Sequence, residues 1–205
     1  ITALRSQIPL ARLTVHANNM KNIAVFASGN GSNFQAIASA IRKKNLKANL
    51  KLLVCDNPRA FVLKRAKKFK VKTFLFNPRD YLSKKDFEDE VIKKLKAERI
   101  DLIVLAGFMR ILSPYFINQY KNKIINIHPA LLPSFKGAHA ISDAFDYRVK
   151  LTGVTVHFVD EKIDHGPIIL QEPVKVCAKD TLKSLEKRIH QLEHKIYPQA
   201  IKIIL

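Results

Sequence analysis

Ile124-Ile125-Asn126-Ile127-His128-Pro129-Ala130-Leu131-Leu132-Pro133 sets two polar side chains into a short apolar run and closes it with proline. Side chains on a strand alternate between its faces, so Asn126 and His128, two apart, point the same way near the carboxyl end of the run. Pro129 cannot donate to a sheet ladder and Pro133 stiffens the exit, which suits a strand terminus better than a mid-sheet position. Two readings stand open here: a turn-starting Asn beside a satisfied core His, or an amide and an imidazole aimed into one shared space.

Upstream, Ile23 to Ala27 reads as a strand, Ser28-Gly29-Asn30-Gly31-Ser32-Asn33 as a glycine-containing loop, and Phe34 to Ile41 as a helix. Such a loop lets the backbone approach a ligand, and the N–H groups and dipole of the following helix favour an anion. Two glycines one residue apart, with no third and no Gly-Lys-Ser/Thr, match neither the dinucleotide fingerprint nor a Walker loop. An ordinary turn with Ser or Asn as helix N-cap explains the segment equally well. The alternation continues, with strands at Leu50–Cys55, Lys72–Phe76 and Leu102–Ala106 and helices at Pro58–Phe69 and Ser83–Glu98. Repeated strand–helix units imply an α/β fold with a Rossmann-like, mostly parallel twisted sheet and helices on both faces. Ligands of such sheets sit outside the carboxyl ends of the strands. The glycine loop, Gly107-Phe108-Met109-Arg110 and the Asn126/His128 pair all fall at such ends, which favours the shared-space reading.

Ser113-Pro114 opens a short helix, and another runs to about Tyr147. Gly153–Val159 and Ile168–Val176 flank the turn Asp160-Glu161-Lys162-Ile163-Asp164-His165-Gly166-Pro167, so these last strands are expected to pair antiparallel. Asp164 in that turn is either turn chemistry or a carboxylate held beside an imidazole. Asp180-Thr181 starts a long final helix with Glu193 on its later turns.

Lys and Arg number 36 against 17 Asp and Glu, a net charge of +19, which favours anionic partners without choosing among nucleic acid, phosphate metabolites and polyglutamate tails. Lysines such as Lys64, Lys67, Lys68, Lys93, Lys94 and Lys96 are spread over several helices and read as solvated faces. Cys55 and Cys177 each sit in an apolar run and read as buried free thiols of a cytoplasmic protein, with neither a disulfide framework nor a metal cluster. No apolar run approaches the ~18 residues needed to span a membrane. Residues 1–19 read as an extension outside the fold, leaving 20–205 as a single domain.

Four motifs in order are specific in combination: Ser28-Gly29-Asn30-Gly31-Ser32-Asn33, Leu105-Ala106-Gly107-Phe108-Met109-Arg110-Ile111-Leu112, Asn126 to Pro133, and Asp164-His165-Gly166-Pro167-Ile168-Ile169. With them the chain resembles the phosphoribosylglycinamide formyltransferases, folate-dependent formyl-transfer enzymes, over about Lys21 to Leu205. The resemblance implies the formyltransferase fold and formyl transfer from 10-formyltetrahydrofolate, as co-substrate and without a metal, to the amine of glycinamide ribonucleotide. It implies catalytic roles for Asn126, His128 and Asp164, and substrate binding at Gly31, Ser32, Asn33, His139 and Glu193. Folate contacts are implied at Met109, Arg110, Ile111, Leu112, Asn126 and the Asp160–Asp164 loop. Lys84 stands where the family usually has an arginine, and Lys lacks the planar fork. The implied protein is cytoplasmic, a monomer or homodimer with small-molecule substrates, and binds neither nucleic acid nor membrane.

The chemistry agrees with that assignment. An amine attacking a formyl carbon builds negative charge on the formyl oxygen and positive charge on nitrogen, so the site needs a donor and a proton acceptor. Asn126 and His128 supply donors, and the Asp164 carboxylate supports His128 and the proton's passage. Methionyl-tRNA formyltransferase shares the Asn-x-His and Leu-Leu-Pro elements, but the Gly29–Asn33 loop argues against it, and no RNA-binding domain is expected after Leu205. Formyltetrahydrofolate hydrolase resembles Pro133–Ala138 but has an N-terminal regulatory domain that nineteen residues cannot form. A basic nucleic-acid-binding module would need lysines and aromatics interleaved on one surface.

Overall fold

The computed structural model describes residues 20–205; the expected extension over 1–19 lies outside the described residues. The chain builds β1 (Asn22–Phe26), α1 (Ser32–Arg42), β2 (Asn49–Cys55), α2 (Val62–Phe69), β3 (Lys72–Leu75), α3 (Lys84–Ala97), β4 (Leu102–Leu105) and α4 (Pro114–Gln119). Then follow β5 (Ile124–His128), α5 (Ala140–Asp146), β6 (Leu151–Phe158), β7 (Ile168–Lys175) and α6 (Leu182–Ile204). All the strands join one seven-stranded sheet in the order β3-β2-β1-β4-β5-β6-β7. β1 to β5 run parallel, and β6 and β7 are antiparallel to their neighbours, as the turn chemistry predicted.

Both faces of the sheet are covered, which explains why the central strands read as unbroken apolar runs. Ile23, Val25, Leu53, Val104, Ile125, Ile127, Val154 and Val156 pack with Phe34 and Ile37 of α1 and Leu185, Ile189, Ile196 and Tyr197 of α6. The alternate residues Ala24, Phe26, Leu52, Val54, Ile103, Leu105 and Ile124 pack with Phe87, Val91 and Leu95 of α3 and Phe116 and Ile117 of α4. The chain steps outward from β1 to β2 and β3 and then returns to lay β4 on the other side of β1. That reversal opens a crevice outside the carboxyl ends of β1 and β4.

Three expectations need correction. The helix expected from Pro58 begins at Val62, because Asn57 folds the next residues into a turn: its Oδ1 accepts from the Arg59 N–H at 3.0 Å and its carbonyl from the Ala60 N–H at 3.1 Å. The first helix begins at Ser32 with Gly31 as N-cap at φ 73°, and no Ser or Asn side chain caps it. Cys55 is buried in β2, but Cys177 lies beyond the end of β7 and is exposed.

Candidate active site

A cleft of about 650 Å³ opens along the carboxyl edge, lined by the 29–33 loop, the 105–112 segment, Asn126 to Pro129, His157, the 159–164 loop, and His190 and Glu193 of α6. Its floor at one end is the start of α1. The first N–H groups of a helix have no intrahelical acceptor, and Gly31 offers no side chain to take their place. The left-handed turn is forced by space as well as by φ, since a Cβ on Gly31 would stand 2.4 Å from Cγ2 of Val62. Asn33 is 8% exposed; its Nδ2 donates to Glu193 Oε2 at 2.9 Å, while its Oδ1 has no partner among the described residues. His190 meets the same Glu193 oxygen at 3.0 Å, and that hydrogen bond raises the imidazole above its ordinary value of 6.5 against the opposing effect of burial. An uncapped helix start, a buried amide oxygen and an imidazole favouring its charged form suit an oxyanion with hydroxyls attached.

The polar pair of β5 sits where its spacing predicted, on the cleft side of the sheet's end, and β6 adds two more polar residues opposite it. Asn126 pairs in register with His157, and His128 with Thr155. Thr155 is fully buried; its hydroxyl donates to Ala130 O at 2.6 Å and accepts from Leu132 N–H at 3.1 Å, fixing the chain just after His128. Asp164, at φ 47°, reaches this group from the loop. Its Oδ2 lies 3.4 Å from His128 Nδ1 and accepts the Gly137 N–H at 2.8 Å. Its Oδ1 lies 3.7 Å from His157 Nε2 and 3.5 Å from Asn126 Nδ2. Burial pushes the Asp164 carboxyl up, but the His157 contact, the Gly137 N–H and the charge of His128 outweigh it and hold the group below its ordinary value of 3.8.

The imidazole tautomers follow from their carbonyl partners, which can only accept. Phe135 O lies 2.7 Å from His128 Nε2, so Nε2 bears hydrogen and Nδ1 is left to face Asp164. Phe158 O lies 2.8 Å from His157 Nδ1, which therefore bears hydrogen, and Nε2 faces both Asn126 Nδ2 at 3.3 Å and Asp164 Oδ1 at 3.7 Å. The sequence reading did not single out His157. Its signal was the second alternating run: Thr155 and His157 repeat the two-residue spacing of Asn126 and His128, and only the cross-strand register brings the pairs together.

The other wall is apolar and open. Met109 and Ile111 are 72% and 64% exposed and Ile163 55%, all within the cleft, whereas Leu112 is buried behind them. Three side chains pin this wall from beneath. Ser28 Oγ accepts the Met109 N–H at 2.9 Å, Asp56 Oδ2 accepts from Arg110 Nε at 2.7 Å, and the buried Glu88 accepts the Ser113 N–H at 2.8 Å. Opposite it, the 160–164 loop is drawn together by His165 Nδ1 at 2.7 Å from Asp160 Oδ2. Lys84, the first residue of α3, and His139, the N-cap of α5, are exposed and do not line the cleft. Among the described residues no group of three His, Cys, Asp or Glu could hold a metal ion, and no helix is long and apolar enough to cross a membrane.

A switch-point cleft with an uncapped helix start as its floor, an apolar wall and an Asn–His–Asp cluster between them has the layout that suits a group-transfer enzyme. The sequence profile described as Formyl transferase matches residues 21–201, and the chain belongs to that family. It is 49% identical to the phosphoribosylglycinamide formyltransferase of Bacillus subtilis, over 91% of this chain and 95% of that protein. The crystal structure of glycinamide ribonucleotide transformylase 1 from Geobacillus kaustophilus superposes with a TM-score of 0.89 at 49% identity, covering 91% of this chain and all of the other. The human trifunctional purine biosynthetic protein adenosine-3 is 40% identical over 89% of this chain, which spans 18% of that protein's length. Within the family the chain thus groups with the glycinamide ribonucleotide formylating enzymes of purine biosynthesis.

Proposed function

We propose that this chain moves the formyl group of 10-formyltetrahydrofolate onto the amine of glycinamide ribonucleotide, with Asn126, His128 and Asp164 as the catalytic residues. The observation that carries the reading is the position of the Asn126–His128–Asp164 cluster, between an uncapped helix start suited to a phosphate and an exposed apolar wall suited to a flat pteridine. Gly31, Ser32 and Asn33 take the phosphate, and Glu193 the ribose hydroxyls. Met109, Arg110, Ile111 and Leu112 hold the folate, and the Asp160–Asp164 loop closes over it. His139 and Lys84 stand outside the cleft and are assigned no contact.

In the reaction the amine nitrogen bonds to the formyl carbon, the bond from that carbon to N10 breaks, and the proton shed by the amine ends on N10. Asn126 Nδ2 donates to the formyl oxygen as its charge grows, in a setting where the loss of one such donor costs roughly 3–4 kcal/mol. His128 adds a second donor when protonated. Its Nε2–H is already bonded to Phe135 O, so Nδ1 exchanges a proton with the cleft and Asp164. Asp164, ionised through the neutral range, stabilises that cation and takes the amine proton on its way to N10, directly or through water.

The direct test supplies purified protein with glycinamide ribonucleotide and 10-formyltetrahydrofolate and follows release of tetrahydrofolate, with Asp164→Asn alongside. Acceptor-dependent turnover that collapses in the variant is the expected result. Deformylation without the amine acceptor would indicate a hydrolase instead, and an inert wild-type enzyme would overturn the reading.

A further inference from the structure

The ends of the glycine loop are held by side chains, Ser28 O by Asn57 Nδ2 at 3.1 Å and Asn33 by Glu193, and its middle residue Asn30 is clamped by the guanidinium of Arg65. Nε donates to the Asn30 carbonyl at 2.9 Å and one terminal nitrogen to Asn30 Oδ1 at 2.8 Å, so one fork holds both the main chain and the side chain of a single loop residue. The other terminal nitrogen donates to Gln35 Oε1 on the first turn of α1. The Phe61 ring lies 4.9 Å from the guanidinium carbon and limits where the group can swing. On either side of Asn30 the same helix end holds the loop by other means: the Val62 N–H donates to Gly29 O at 3.1 Å, and the Val62 side chain fills the space a Gly31 Cβ would need. The start of α2 is therefore a mould for residues 29–31, and Arg65 is the part of it that bears charge.

We infer that Arg65 is a positioning residue for the phosphate of the acceptor substrate, acting through Asn30 to aim the loop and first-turn N–H groups at the anion. This rests on the assignment of the glycine loop to that phosphate. A planar fork suits this task because its donors are held at a fixed separation that matches the two acceptors, whereas an ammonium is a point charge on a flexible stem. The charge has a second effect, since a cation held behind the loop favours a dianion in front of it. The formyl donor binds on the far wall, which Arg65 does not touch.

Arg65→Ala is expected to raise the KM for glycinamide ribonucleotide about tenfold, while kcat and the KM for 10-formyltetrahydrofolate stay within about twofold of wild type. Titration calorimetry with ribose 5-phosphate should show the same loss without the reaction. Arg65→Lys, which keeps the charge and loses the fork, should recover only a minor part of the affinity. Asn30→Ala, a change at an exposed loop position, should cost about threefold and serves if the Arg65 variants fail to fold. Unchanged ribose 5-phosphate affinity in Arg65→Ala, or in Asn30→Ala if that variant alone folds, overturns the inference. So does an equal rise in both KM values, or full rescue by Lys. If wild-type protein neither binds ribose 5-phosphate nor formylates glycinamide ribonucleotide, the phosphate assignment itself fails and this inference with it; if wild type does both, a failure of the variants to differ sinks this inference alone.

Discussion

Asn126 stands at the meeting of two histidines and a carboxylate, each within 3.5 Å or so of its amide or of one another, and its removal should be felt in the transition state rather than in binding. Asn126→Ala is expected to lower kcat by roughly 10²–10³-fold with a small change in either KM, read from steady-state kinetics. His190 gives a test in pH. Its hydrogen bond to Glu193 raises it, so the cation is complete below 6.5 and fades as pH climbs through the raised value. The KM for glycinamide ribonucleotide should therefore rise as pH climbs from 6.5 through the raised value, and His190→Gln should flatten that profile. Asn126 and His128 were legible because two polar residues in a short apolar run must share a face. His157 and His190 were not, because each becomes part of the cleft only through a partner distant in sequence, Asn126 across the sheet and Asn33 through Glu193.

The elements behave as packing supports rather than as passive frames. Tyr197 of α6 is fully buried, and its hydroxyl donates to Leu105 O at 2.6 Å with Ile125 O at 3.3 Å, tying the final helix to the two strands whose ends carry the apolar wall and the Asn–His pair. Tyr197→Phe should cost about 1–2 kcal/mol of unfolding free energy in denaturant titration, because the buried carbonyl loses a donor and nothing wet replaces it. Gly31→Ala combines a left-handed φ with a Cβ driven into Val62, so it should weaken the loop more than the fold: loss of ribose phosphate binding at a modest drop in melting temperature. Strands were the most legible elements, since buried parallel strands write themselves as apolar runs. Helix starts were less so. Pro58 read as a helix opening but lies in a turn, and the reading of a Ser or Asn as the cap of α1 fails because Gly31 holds that place.

Across the whole molecule, the excess of basic residues gives a net charge of +19, and the proposed acceptor substrate is a phosphate. Long-range attraction of that kind speeds encounter and is screened within about a Debye length, so kcat/KM for glycinamide ribonucleotide should fall steadily as ionic strength rises from about 10 mM to 150 mM while kcat holds. A salt-independent kcat/KM would show the charge to be unrelated to substrate capture. The order of the strands was not written in the sequence: the repetition of strand and helix implied a mostly parallel sheet, and only the pairing of β4 with β1 shows where the order reverses. That reversal brings Ser28 against the β4 exit, where its N–H donates to Gly107 O at 3.0 Å and its hydroxyl accepts from Met109. Floor and wall are thus bolted to each other rather than hung independently from the sheet. For anyone grafting a new donor specificity onto this scaffold, the two segments make one cassette: a wall borrowed from a relative will seat properly only when its own Ser28 counterpart and glycine loop are transplanted with it.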